Sequence, residues 1–304
     1  MSALNNFMSG SEENLGKVLI VDYSNMMYRT VHVAFNEDPT DTEFSYWKHL
    51  MINCIKGYIE TFKPDHLIFA LDNKKKLWRH EIYSDYKGQR NAQRAASPVD
   101  FEKFFPIAHK FRDELKKLMP NVYFVSADGI EADDFTAVII KSIASRCTEI
   151  LNISTDKDFY QLYKYPNYKQ WNPIKKTFCE VFDPQLYLQE KILCGDKSDN
   201  IPSVIPRMGP GRAHKYVNRL DELFEEHPEA VEKYEMNKKL ISFDFIPKEI
   251  ENKILDIFKS YETKEYSGRN MFSFLTENGL GKLTEDLQEF NANIKRIKPI
   301  SLTE

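Results

Sequence analysis

None of the four cysteines, Cys54, Cys147, Cys179 and Cys194, has another at the short spacing of a zinc knuckle. Each lies in an apolar stretch, so reduced, buried thiols are expected, not a disulfide framework or a zinc site. No stretch approaches the roughly 20 apolar residues of a membrane-spanning helix. The opening MSALNNFMSGSEENLG has neither the basic start nor the apolar run of a secretion signal, and residues 1–16 read as a flexible tail. Internal repeats and low-complexity tracts are missing as well. These absences predict a soluble, cytoplasmic protein with no membrane attachment. A basic excess is also lacking: the formal net charge is −4 over 304 residues, which by itself counts against a nucleic-acid binder.

What is present begins with apolar runs. Hydrophobic residues make up 42% of the chain, enough for a substantial core. KVLIVD, HLIFALD, NVYFVSAD and EILNISTD read as strands. Between them, Glu43 to Phe62, Phe101 to Met119 and Glu131 to Arg146 carry apolar residues at helical spacing. This alternation predicts an α/β fold, a parallel sheet flanked by helices, over residues 17–185. Beyond Pro184 the pattern turns helical, and residues 186–304 are expected to form a second, C-terminal region.

Ligands of such sheets lie at the carboxyl ends of the strands. Asp22, Asp72 and Asp156 follow three of the strands and so share one edge. A single aspartate there would ordinarily cap the next helix. Three in register, joined by Glu131, Asp133 and Asp134 in GIEADDF, Asp158 in STDKDF, and Asp196 and Asp199 in GDKSDN, exceed what capping requires. Like charges repel, so a cation must reconcile them, and carboxylate oxygens suit magnesium or manganese. Asp22, Asp72, Glu131 and Asp133 form one group and Asp158, Asp196 and Asp199 another, with Asp156 between them. Two ions so placed would clamp the attacking and leaving oxygens of a phosphoryl displacement.

The near-neutral sum also conceals two basic stretches. From Asn73 to Arg94 seven basic residues face two acidic ones, and Asn200 to Leu220 contains Arg207, Arg212, Lys215 and Arg219 with no acid. In the first, Trp78, Tyr83 and Tyr86 are interleaved with Arg79, Lys87 and Arg90, a mixture suited to stacking bases and holding phosphates. Lys87 and Arg90 are one helical turn apart and could reach one phosphate together. In the second, Gly209 and Gly211 flank a proline ahead of a helix at Arg212, where exposed amides can cradle phosphate.

The order VDYSN, ALD, YKGQR, GIEADD, STDKDF, GDKSDN, GPGRA resembles the 5′-nuclease (flap endonuclease) superfamily. YKYPNYKQWNPIKK, ISFDFIPKEI and GLGKL narrow the resemblance to the branch of T-even bacteriophage ribonucleases H. The resemblance implies a PIN-like nuclease domain with a helical arch at about residues 73–98, and a helix–three-turn–helix element in the C-terminal region. It implies one metal site on Asp22, Asp72, Asp133 and Asp156, with Glu131 acting through water, and a second on Asp158, Asp196 and Asp199. Asp134 would stand in the outer shell. Lys87 would be the arch lysine, Arg79 and Arg90 lesser arch cations, and Tyr86 a stacking residue. Gly209 and Gly211, with Arg207, Arg212 and Lys215 around them, would hold duplex phosphates with a potassium ion.

The expected activity is therefore structure-selective 5′→3′ exonuclease and flap endonuclease cleavage of DNA and RNA:DNA duplexes. It would use two Mg2+ ions, with Mn2+ as a substitute, to remove RNA primers in replication. Asp133, Asp156, Lys87 and Arg90 carry the catalytic expectation. A monomer is expected, with a single-strand-binding protein and a sliding clamp as partners, the clamp through LNNFM in the tail. The rival readings are a PIN-type single-strand ribonuclease and a non-catalytic protein that binds DNA junctions.

Overall fold

The structure, a computed structural model, describes residues 14–35, 41–73 and 75–300. The proposed clamp peptide, most of the N-terminal tail and Lys74 lie outside the described residues. Strands β1 (Gly16–Asp22), β2 (His66–Ala70), β3 (Tyr123–Val125) and β4 (Cys147–Ile153) form where the apolar runs predict them. Each is apolar on both faces because helices cover both faces of the sheet. Two strands escape the sequence reading: β5 (Tyr168–Asn172), parallel to β4, and β6 (Thr177–Phe178), antiparallel to β5. The sheet order is β3-β2-β1-β4-β5-β6. Because β1 to β5 run parallel, their carboxyl ends share one edge, with β1 near its middle.

On one face, Leu19 and Val21 of β1 pack under α1 (Tyr23–Ala34), α2 (Asp41–Phe62) and α4 (Phe101–Leu118). On the other, Val18 and Ile20 pack under α5 (Ala132–Ile143). Helix α1 is an unpredicted element; it starts at Asp22, whose Oδ1 accepts the Asn25 amide at 2.9 Å.

Among the described residues, the regular elements of the C-terminal region are helices, joined by turns and loops. Helices α6 (Pro184–Cys194), α7 (Pro210–Tyr216), α8 (Leu220–Glu226) and α9 (Ala230–Ile241) share a third core around Leu188, Ile192, Val204, Ala213 and Leu240. Helices α10 (Lys248–Lys259), α11 (Gly268–Glu277) and α12 (Leu287–Arg296) instead return to the sheet. Phe258 joins the α5 face, and Leu275 and Ile294 join the opposite one. Among the described residues, no helix is long and apolar enough to cross a membrane.

The segment expected as an arch contains a 3-10 turn, Trp78–Glu81, a run of turns, and the short helix α3 (Arg90–Ala95). Its first half lies against the domain. The Trp78 amide donates to Gly129 O at 3.2 Å, the Lys87 amide to Asp199 O at 2.8 Å, and Asn200 Nδ2 to Asp85 O at 2.8 Å.

Candidate active site

Strand ends position the first acids. Asp22 closes β1, Asp72 lies two residues beyond β2, and Asp156 three beyond β4. Each also serves the backbone, as a lone capping aspartate would. Asp72 Oδ1 accepts the Ala132 amide at 2.9 Å, and Asp156 Oδ1 accepts the Asp158 amide at 2.8 Å. The Asp72 contact ties the mouth of α5 to β2, which brings Glu131 and Asp133 to the same edge.

Crowding marks this first group. Burial, with Asp72 and Asp156 alongside, pushes the Asp22 carboxyl up to about 7. Burial, then Asp156 and Asp22, drive Asp133 well above the ordinary carboxylate range. Burial also raises Asp156, against the pull of Lys191. Among the described residues, no ion pair joins Asp22, Asp72, Asp133 or Asp156 to a cation. The donors are all carboxylate oxygens, the chemistry of a hard divalent ion, and such an ion would relieve the repulsion that these shifts record.

The second group is tighter. Asp158, Asp196 and Asp199 bring ligand oxygens within 4.8 Å of one another, the one such set among the described residues. Asp196 caps the turn that follows, accepting the Ser198 amide at 2.7 Å. Gly195 makes that turn possible. Its φ is +68°, and a Cβ there would meet Pro202 O at 2.4 Å. A residue absent from the sequence reading, Lys191, reaches from α6 to pair with Asp158, and with Asp196 at 2.7 Å. Burial would raise Asp196, but Lys191 outweighs it and holds that carboxyl below its usual range. The signal in the sequence was faint: one lysine in the last turn of a helix.

Two expectations are corrected. Arg79 is not an arch cation open to nucleic acid. It is 3% exposed, with Nη2 on Asp134 Oδ1 at 2.8 Å and Nη1 on Glu131 Oε2 at 2.6 Å. Tyr86 is not a free stacking surface. Its ring is buried in the third core, and its hydroxyl donates toward Asp199 Oδ2 at 3.1 Å and Glu131 Oε2 at 3.2 Å. The reason is common to both. Glu131 and Asp134 are buried charges that need partners, and the folded-down segment supplies them. Asp134, fully buried, also accepts the Trp78 indole N–H at 2.9 Å.

Lys87 and Arg90 do enter the site. Lys87 Nζ pairs with Glu131 and stands 3.5 Å from Asp199, and Arg90 Nη2 lies 2.9 Å from Asp199 Oδ1. Burial would raise the Glu131 carboxyl, yet Lys87 and Arg79 hold it well below the usual range. Lys87, Arg90 and Arg94 line a cavity of about 510 Å³ with Asp72, Phe105 and Glu131. A cleft of about 590 Å³ over Asp156, Asp158 and Asp196 runs to Pro210 of the glycine turn. A third, of about 710 Å³, joins Gln89 and Lys197 to Arg207 and Gly209. A Cβ on Gly209 or Gly211 would meet nothing within 4 Å, so this backbone is open to an approaching ligand. Lys215 is exposed, and Arg212 lies over the Tyr216 ring. The four cysteines are free and half-buried, not fully buried.

Comparison with known proteins places the chain in a family. Residues 17–192 match the model of the 5′–3′ exonuclease N-terminal, resolvase-like domain, and residues 214–290 that of the T4 RNase H C-terminal domain. The chain is similar to the ribonuclease H of Enterobacteria phage T4, with 32% identity over 90% of this chain and 95% of the relative. It is also similar to the flap endonuclease Xni of Shewanella piezotolerans, with 29% identity over 66% of this chain and 75% of the relative. In fold it resembles a bacteriophage T5 flap endonuclease solved with DNA and metal ions. There the TM-score is 0.60 at 18% identity, over 91% of this chain and 99% of the other. The chain belongs to the 5′–3′ exonuclease family of metal-dependent flap endonucleases, hydrolases of the phosphodiester bond.

Proposed function

We propose that this chain cleaves DNA and RNA:DNA duplexes from their 5′ ends or flaps, and so removes RNA primers during replication. The observation that carries this is the meeting of two carboxylate groups at one sheet edge, with Lys87 and Arg90 reaching in from the basic segment above. Asp22, Asp72, Asp133 and Asp156, with Glu131 through water, would hold one Mg2+. Asp158, Asp196 and Asp199 would hold the other, and Mn2+ would substitute for either. Bound there, the ions supply an activated water and stabilise the leaving oxygen. The remaining work falls to the chain itself. Lys87 and Arg90 turn from Glu131 and Asp199 to the scissile phosphate and neutralise its charge. Arg79, Trp78 and Asp134 fix the mouth of α5, and thereby Asp133. The turn at Gly209 and Gly211 takes duplex phosphates on open backbone amides, with K+ beside it and Arg207, Arg212 and Lys215 around it.

Residues 17–185 with α10 to α12 would form the nuclease body, and residues 188–241 the duplex-holding part. The protein would act as a cytoplasmic monomer, with a single-strand-binding protein and a sliding clamp as partners. A magnesium-dependent digest of a 5′-labelled RNA–DNA strand annealed to DNA tests the function. Short 5′-phosphorylated products from the duplex, and none from free single strands, are expected. Preference for free single-stranded RNA would overturn it.

A further inference from the structure

We propose that Lys191 holds the place of the second divalent ion and must leave when that ion binds, which makes the Asp158–Asp196–Asp199 group the weaker of the two sites. The inference rests on the two-ion reading above and adds a competitor to it. The Lys191 ammonium pairs with Asp158, and lies 2.7 Å from Asp196 Oδ2, with its side chain 12% exposed. Those two carboxylates and Asp199 each bring an oxygen within 4.8 Å of the others, so an ion bound between them would meet the ammonium on two of the same carboxylates. Two cations cannot share that space without strong repulsion.

The first group offers the contrast. Among the described residues, none of Asp22, Asp72, Asp133 and Asp156 makes an ion pair, so an ion there has no ammonium to dislodge from its carboxylates. At the second group an ion must first break pairs already made. Lysine suits an exchange of this kind, because its ammonium is a point charge on a flexible four-carbon stem. A lysine in the last turn of a helix ordinarily serves that helix's own carbonyls. Lys191 instead bridges two segments outside its helix.

The test is a calorimetric titration with Mn2+ alone, on the full chain and on the K191M, K191R and D158N variants. The unaltered protein should show a tighter and a weaker class of binding. K191M should tighten the weaker class by about tenfold or more and leave the tighter one unchanged. K191R, which keeps the charge, should behave as the unaltered protein does. D158N should lose the weaker class. In chelator, K191M should melt at a lower temperature, and Mn2+ should raise its midpoint by more than that of the unaltered protein. Equal rises in the two proteins, or an unchanged or weakened second class in K191M, would overturn the proposal. A single class in the unaltered protein, also unchanged in D158N, would overturn the two-ion reading itself.

Discussion

Arg79 and Asp134 form a two-armed ion pair out of reach of solvent, with Nη2 on Oδ1 at 2.8 Å and Nη1 on Oδ2 at 3.0 Å. The guanidinium also donates from Nε to Leu240 O at 2.9 Å, which ties the folded-down segment to α9. Removing either partner strands a buried charge. Arg79→Ala or Asp134→Ala is expected to cost about 3–5 kcal/mol in guanidinium unfolding. Arg79→Lys should recover little of that, because an ammonium cannot make the fork. A loss below about 1 kcal/mol would show that the pair is not structural.

Asp133→Asn separates stability from activity. Burial, Asp156 and Asp22 disfavour the charged form of this aspartate, so without metal the folded protein must take up a proton there or carry an unfavourable charge. Its neutral replacement should therefore raise the melting temperature of the metal-free protein. The same change should lower cleavage by more than about a hundredfold while duplex binding persists, since a proposed ligand is gone. Cleavage at the native rate in magnesium would remove Asp133 from the site.

The pH dependence follows from Asp22. Its carboxyl is pushed up to about 7 by burial, Asp72 and Asp156, from 3.8 when the chain is unfolded. A raised folded pKa means that the folded state binds the proton more tightly. This contribution to stability is complete below the unfolded value and disappears as pH rises through about 7. The melting temperature in chelator should therefore climb as pH is lowered from 8 to 5. Saturating Mn2+ should flatten or reverse that trend, because it binds the ionised carboxylates. Identical profiles with and without the ion would contradict the assignment of Asp22 as a ligand.

Gly195 offers a backbone test. At φ +68°, with Pro202 O and Ile201 O in the space a side chain would need, Gly195→Ala is expected to cost about 2–4 kcal/mol. The shift should reach Asp196, the next residue, and weaken Mn2+ binding at the second group but not the first. Calorimetry reads that difference directly.

The acidic edge was legible because it depends on local rules. A short apolar run ends, an aspartate follows, and parallel topology does the rest. Strand β5 was not legible, since YKQWN has too few apolar residues to register. Pairing with β4 holds it, and the Asn172 side chain sets the turn, accepting the Ile174 and Lys175 amides at 3.0 Å. Tyr86 looked like a stacking residue because its neighbours are cations. Its burial depends on a core built by residues 188–241, which no local window contains. Lys191 drew no reading at all, because only the folded chain sets Asp158 and Asp196 beside it.

The bonds that join residues 85–90 to residues 197–200 bear on how the chain is made. The Lys87 amide, Gln89 Nε2 and Asn200 Nδ2 all span that gap in sequence. A ribosome delivers Asp22, Asp72, Asp133 and Asp156 well before residue 200. Until then, Lys87 and Arg90 have no Asp199 to settle on, and the sheet awaits Leu275 and Ile294 to close one face. A nascent chain therefore carries Asp22, Asp72, Asp133 and Asp156 before Asp199 is there to hold Arg90 and the Lys87 amide, so the basic segment can take its folded-down place only after residue 200 has been made.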